Sequence, residues 1–275
     1  IIYYHSAINN TEDKHVSLLP LINSSSPPVV TNVIVATLDL NITGLFLNSD
    51  SIDSPAFDRL WSDTSQLRKH NIKISAMLLG NFHTLSGNQS FFERNYAFLH
   101  DGLKTHNFDG IDIDVEDPTA ISLPDVIRLI DRLRRDFGSG FLITMSPVAE
   151  ALNGGRNLSG FNYTILEAKR GNEIAWYHAQ FYNTFGWVGD TRDYDRIVEF
   201  GFKPEKVVVG MTTNKANAGG FVGLEMVGKM LGELTKKYED FKGVAGWEYF
   251  DSSPGGQTRP WEWSERMAEF LEVRS

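Results

Sequence analysis

The order of apolar runs and amphipathic stretches along the chain predicts an α/β protein built as a single (β/α)8 barrel over residues 1–275. Short runs rich in Val and Ile, bounded by Gly, Asn, Pro or Asp, recur eight times and alternate with helix-like segments. The length suits such a barrel, and no Pro/Gly/Ser-rich linker or low-complexity tract divides the chain; SSSPP at 24–28 is short enough for a helix-to-strand loop. A doubly wound open sheet is the main rival, but its Gly-rich first turn is missing after the opening strand.

The strands are expected at Ile1–His5, Asn32–Leu38, Lys73–Leu79, Gly110–Val115, Phe141–Pro147, Ile174–Tyr182, Lys206–Met211 and Gly243–Phe250. Between them, helical patterns cover 54–71, 90–107, 123–138, 190–202, 223–238 and 261–273. In the third, Val126, Leu129, Ile130 and Leu133 keep the spacing of one buried helical face.

A net charge of -9 disfavours nucleic acid and anionic membranes as partners. No apolar run is long enough to cross a bilayer. Cysteine is absent, which excludes disulfides and thiol chemistry. Compartment is read instead from six glycosylation sequons, at Asn9, Asn23, Asn41, Asn88, Asn157 and Asn162, against the roughly two or three expected by chance. The excess favours secretion, with any signal peptide outside this numbering.

The chemistry concentrates in FDGIDIDVED, residues 108–117, with five carboxylates in ten residues. With the period of a strand, Ile111, Ile113 and Val115 face the helices, while Asp112, Asp114 and Glu116 face the barrel interior. Glu116, the last, belongs at the C-terminal mouth, where barrel enzymes assemble their sites. Acids so close on one face cannot all ionise cheaply, so one holds a proton. A protonated Glu116 beside a charged or proton-sharing Asp114 would be a general acid. A divalent metal would also explain clustered carboxylates, but no histidine is near and the spacing is not that of a calcium loop. No metal or cofactor is expected.

Here the chain resembles glycoside hydrolase family 18, whose D-x-x-D-x-D-x-E signature on the fourth barrel strand is matched by Asp109, Asp112, Asp114 and Glu116. The resemblance runs over essentially the whole chain. Through LSGFNYT, QFYN, DYDRIV and GWEYF it points to the fungal secreted endo-β-N-acetylglucosaminidases of the Endo T type. It implies retaining hydrolysis by substrate assistance, an exception to the two-carboxylate scheme. Glu116 would protonate the leaving oxygen and the substrate's own 2-acetamido oxygen would attack. Asp114 would orient the acetamido N–H, with Asp112 behind it. The same resemblance has Tyr182 donating to the acetamido oxygen, Gln180 and Asn183 binding sugar or the acids, and Trp247 stacking under the sugar.

Of Tyr3 and Tyr4 one must face the interior, and we take Tyr3 as the sugar contact. Met211 ends the seventh strand as a pocket-lining or core residue. Glu248 is read as structural or as part of a barrel-end network. Trp187 is either a glycan platform on the sixth loop or a helix cap. The chain departs from the family at the end of the third strand, where many members have S-x-G-G and this one has MLLGN, 77–81. The function expected is cleavage of the GlcNAc–GlcNAc core of glycoprotein N-glycans by a monomer. A chitinase and a non-catalytic sugar-binding barrel are the alternatives.

Overall fold

The computed structural model describes residues 1–5, 8–9 and 14–272, the side chains of 8, 9 and 14 excepted. Eight parallel strands close into a barrel: β1 Ile2–Tyr4, β2 Asn32–Asn41, β3 Lys73–Leu79, β4 Gly110–Asp114, β5 Leu142–Met145, β6 Trp176–Gln180, β7 Val207–Thr212 and β8 Val244–Trp247. Each pairs with its neighbours in chain order, and β1 closes the ring by pairing with both β2 (Tyr3 opposite Ile34) and β8 (Ile2 opposite Gly246). All eight fall within or across the segments expected from sequence.

Helices follow the strands: α1 Pro20–Asn23, α2 Asp58–Lys69, α3 Gln89–Thr105, α4 Leu123–Phe137, α5 Tyr163–Arg170, α6 Arg192–Phe200, α7 Leu224–Lys237 and α8 Glu262–Glu272. In α4 the Ser122 side chain caps the N-terminus by accepting from the Asp125 N–H. Its four apolar residues at helical spacing are fully buried, each contributing about 1.5–3 kcal/mol. The six patterns read from sequence are all helices. The single turn α1 and the short α5 were not read. Only Tyr163 and Leu166 of α5 are buried, which leaves little periodic signal over eight residues.

A second departure is β2, which runs three residues past its expected end and turns back as an antiparallel hairpin with Gly44–Leu47. The alternation Leu38, Leu40, Leu45, Leu47, all buried, carries it.

The main core lies between strands and helices, and it includes Ile111, Ile113 and Val115. Inside the barrel a smaller apolar layer of Tyr3, Ile34, Ala36, Met77, Val208 and Ala245 lies beneath the mouth. Strand β4 approaches β5 closely at its first residue. A Cβ on Gly110 would lie 2.6 Å from the Leu142 carbonyl oxygen and 2.8 Å from Ser75 Oγ.

Candidate active site

The acids of β4 divide by height. At the base, Asp109 Oδ2 accepts from the Ile74 backbone N–H at 2.9 Å and Oδ1 pairs with Lys73 at 3.2 Å. The first acid of the signature thus ties β4 to β3, away from the mouth. Asp112 is fully buried inside the barrel. Its Oδ1 accepts from Thr144 at 2.7 Å and lies 3.0 Å from His178 Nδ1; its Oδ2 accepts from Tyr3 OH at 2.8 Å and Ser146 Oγ at 2.5 Å. Burial would raise its pKa, but the hydrogen bonds from His178, Ser146 and Thr144 oppose burial, and the carboxyl is held below the ordinary carboxylate value.

One step up, Asp114 is 2% exposed. The Gln180 amide nitrogen lies 3.3 Å from Asp114 Oδ1, 3.1 Å from Glu116 Oε1 and 2.7 Å from the Ser146 carbonyl oxygen, to which it also donates. Burial, then the neighbouring Glu116 and Asp112, push the Asp114 pKa well up. Enclosure of this kind favours the protonated form of Asp114 in the unliganded site, against a fully charged Asp114 and in line with the proton-sharing arrangement. The cause is position: Asp114 is buried between two acids, whereas Glu116 lies exposed past the end of the strand.

Beside Asp114, inside the barrel, is a cavity of about 20 Å³ that also reaches Tyr3, Ser146 and His178. Asp114, Gln180 and Tyr182 contribute its polar wall, and Met77, Met211, Ala245 and Trp247 its apolar one. Tyr182 is half-buried, and burial followed by the three acids raises its hydroxyl pKa well above normal, so the phenol remains a proton donor. Tyr3 faces inward; Tyr4 points out, donating to the Val16 carbonyl at 2.6 Å. Trp247 is half-buried, with its ring 5.5 Å from that of Tyr3 and 5.2 Å from that of His5. The ring of His5 lies 3.3 Å from Glu248, which also accepts from the His5 backbone N–H, a network at the barrel end.

Asn183 is not brought to the acids. It adopts a left-handed conformation (φ 51°), is exposed, and its side chain accepts from Gly219 N–H at 2.9 Å, bracing the loop after β7. Ser146, Thr144, His178 and Met77, which complete the site, were not singled out from sequence. The signal was there: Thr144 and Ser146 alternate on β5, as do Trp176, His178 and Gln180 on β6.

After β3, Gly80 (φ 79°) and Asn81 (φ 45°) are both left-handed, and Asn81 Nδ2 donates to both Asp39 oxygens at 2.7 and 2.9 Å. Asparagine thus takes the conformation a second glycine would. Trp187, 41% exposed, lines a lateral groove of about 760 Å³ with Phe185, Phe200 and Glu150.

Among the sequons, Asn23, Asn88 and Asn162 are exposed. Asn88 and Asn162 cap α3 and α5 through Oδ1, leaving the amide nitrogen outside the cap bond. Asn41 is half-buried and accepts from Thr43. The Asn157 amide nitrogen donates to the Phe161 carbonyl at 2.6 Å, and its sequon partner Ser159 is buried against Val115. The side chain of Asn9 lies outside the described residues. Among those described, no group of His, Asp or Glu is arranged to hold a metal, and no helix is long and apolar enough to cross a membrane.

Comparison with known proteins agrees with this geometry. A solved fungal endo-β-N-acetylglucosaminidase from glycosyl hydrolase family 18 matches with a TM-score of 0.93 at 38% identity, over 100% of this chain and 98% of that one. Chitinase ChiC from Aspergillus fumigatus matches with a TM-score of 0.88 at 41% identity, over 98% and 97%. Among curated sequences, endochitinase 4 of Metarhizium anisopliae is 24% identical over 161 residues, and chitinase Chi52 of Paenibacillus xylanexedens 29% over 111 residues. These alignments take in 46% and 34% of this chain, and 57% and 21% of the respective relatives' lengths. No family model matches the sequence. The full-length likeness at 38% and 41% identity, together with the acid ladder on the fourth strand of the barrel, establishes that the chain belongs to glycoside hydrolase family 18.

Proposed function

We propose that the chain is a single catalytic domain with endo-β-N-acetylglucosaminidase activity, cleaving the GlcNAc-β-1,4-GlcNAc core of N-glycans by a retaining, substrate-assisted route. The observation that carries substrate assistance is the cavity of about 20 Å³ beside Asp114, Tyr182 and Met211. A space of that size admits about one water or methyl group. It suits the methyl of a 2-acetamido group, leaving its N–H toward Asp114 and its carbonyl oxygen toward Tyr182. Trp247 offers the sugar an apolar face. Glu116, exposed at the mouth, takes over the proton of Asp114 when substrate binds. This leaves Asp114 an anion for the acetamido N–H and places Glu116 to protonate the leaving oxygen. The acetamido oxygen attacks the anomeric carbon as the glycosidic bond breaks and the aglycone leaves with the proton of Glu116. Water then opens the oxazolinium, returning its proton to the Glu116 carboxylate.

The full-length match at TM-score 0.93 favours N-glycans as substrate. The 41% identity to a chitinase supports a second reading, hydrolysis of β-1,4-GlcNAc polymers by the same acids. A high-mannose glycoprotein and chitin oligomers, incubated separately and read by mass spectrometry, decide between them. Glycoprotein left with one GlcNAc per site and intact chitin is the result expected; cleaved chitin with untouched glycoprotein would replace the first reading by the second. Glu116→Gln should lower turnover by about 10²- to 10⁴-fold, the usual worth of a general acid, while glycan binding measured by calorimetry persists. Turnover near wild type would remove Glu116 from the mechanism.

Secretion belongs to the same reading, supported by the sequon excess and the exposed Asn23, Asn88 and Asn162. The same reading takes the protein as a monomer.

A further inference from the structure

His178 lies two residues before Gln180 on β6, faces the barrel interior and is 2% exposed. Its Nε2 accepts a hydrogen bond from the Trp176 indole N–H at 2.7 Å. An indole nitrogen can only donate, so Nε2 carries no proton and Nδ1 must carry it. Nδ1–H then points at Asp112 Oδ1, 3.0 Å away, and donates to it. A second proton on Nε2 would face the indole N–H, so the imidazole in this arrangement is neutral.

The groups around it complete the picture. Tyr3 meets the imidazole edge-on with ring centres 5.7 Å apart, Trp176 lies 6.1 Å away, and Lys242 packs over Trp176 at 4.7 Å. The other donors to Asp112 (Tyr3, Thr144 and Ser146) are hydroxyls. A hydroxyl can rotate and accept a hydrogen bond from a carboxylic acid, but an Nδ1–H held in place by Trp176 cannot.

We infer that His178, fixed in its Nδ1–H tautomer by Trp176, is a positioning residue that keeps Asp112 an anion, so that the proton of Asp114 has only the substrate and Glu116 as destinations. The inference rests on the hydrolase reading of Asp114 and Glu116. It assigns Trp176 and His178 a part in where the proton goes. Without the His178 donor, Asp112 has a free lone pair on Oδ1 and competes for that proton.

Three variants and one spectrum test this. Nitrogen-15 NMR of histidine-labelled wild type should show His178 as the Nδ1–H tautomer at neutral pH; an Nε2–H tautomer or an imidazolium would overturn the inference without reference to activity. His178→Leu should lower kcat by about 10- to 100-fold, the worth of one hydrogen bond to a charged group, with KM within about twofold. His178→Asn, whose amide can donate to Asp112 in place of Nδ1–H, should recover most of that loss. Equal rates for the Leu and Asn variants would overturn the positioning role. Should the Leu variant not fold, Trp176→Phe serves: releasing Nε2 should produce a mixture of tautomers and displace the pH profile of kcat, and an unchanged tautomer and profile would count against the lock. A fully active Glu116→Gln would instead defeat the reading of the acids, whatever His178 shows.

Discussion

Asp114 and Asp112 sit two residues apart on one strand face and shift in opposite directions, because one is enclosed between acids and the other is wrapped in donors. Their contributions to stability have opposite signs. Native Asp114 keeps its proton above the pH at which the unfolded chain releases it, near 3.9. Its contribution is therefore fully present below that pH and is lost as pH rises toward the native value, by up to about 1.4 kcal/mol per unit. Asp112, ionised below its ordinary range, contributes above the unfolded value and loses that contribution as pH falls through its native one. Asp114→Asn should remove the first term, so the variant gains on wild type as pH rises from 4 to 7, while hydrolysis falls. Urea midpoints across that range measure it, and parallel curves for the two proteins would show that Asp114 is not the proton carrier.

At the scale of elements, the site depends on the spacing of β4 from β5, because Thr144 and Ser146 reach Asp112 across that pair. Gly110 sets the spacing at its base. Gly110→Ala places a methyl against the Leu142 backbone, and overpacking of this kind costs about 1–3 kcal/mol. Thermal melting should register the loss, with turnover falling as Ser146 is drawn off Asp112. A variant as stable and active as wild type would mean the strands part without consequence. The helix patterns of α2 to α4 and α6 to α8 were legible because each has a continuous apolar face. Helix α5 and the hairpin after β2 were not, since their burial is set by neighbours far along the chain. The third loop shows the same limit: MLLGN departs from S-x-G-G in letters, yet Gly80 and Asn81 are both left-handed.

For the molecule as a whole, the proposed route calls only on the carboxylates and the substrate's own acetamido group, so treatment with EDTA should leave activity unchanged in a standard assay; a large loss would mean that a metal acts on the carboxylates. The sequence by itself determined the barrel, through eight alternating runs whose inward and outward faces follow from a period of two. It also determined which acids project into the interior, because alternation along one strand needs no partner to read. Tertiary structure alone decided that Asp114 is pushed toward its protonated form and Asp112 toward its ionised one, since that depends on burial and on donors from β1, β5 and β6 that meet only when the ring closes. It decided too that Asn183 braces a loop, that Asp109 ties two strands, and that His178, held by Trp176, reaches Asp112. Hydrogen-bond direction and dielectric are properties of surroundings, and more than sixty residues separate His178 and Gln180 from the acids they govern.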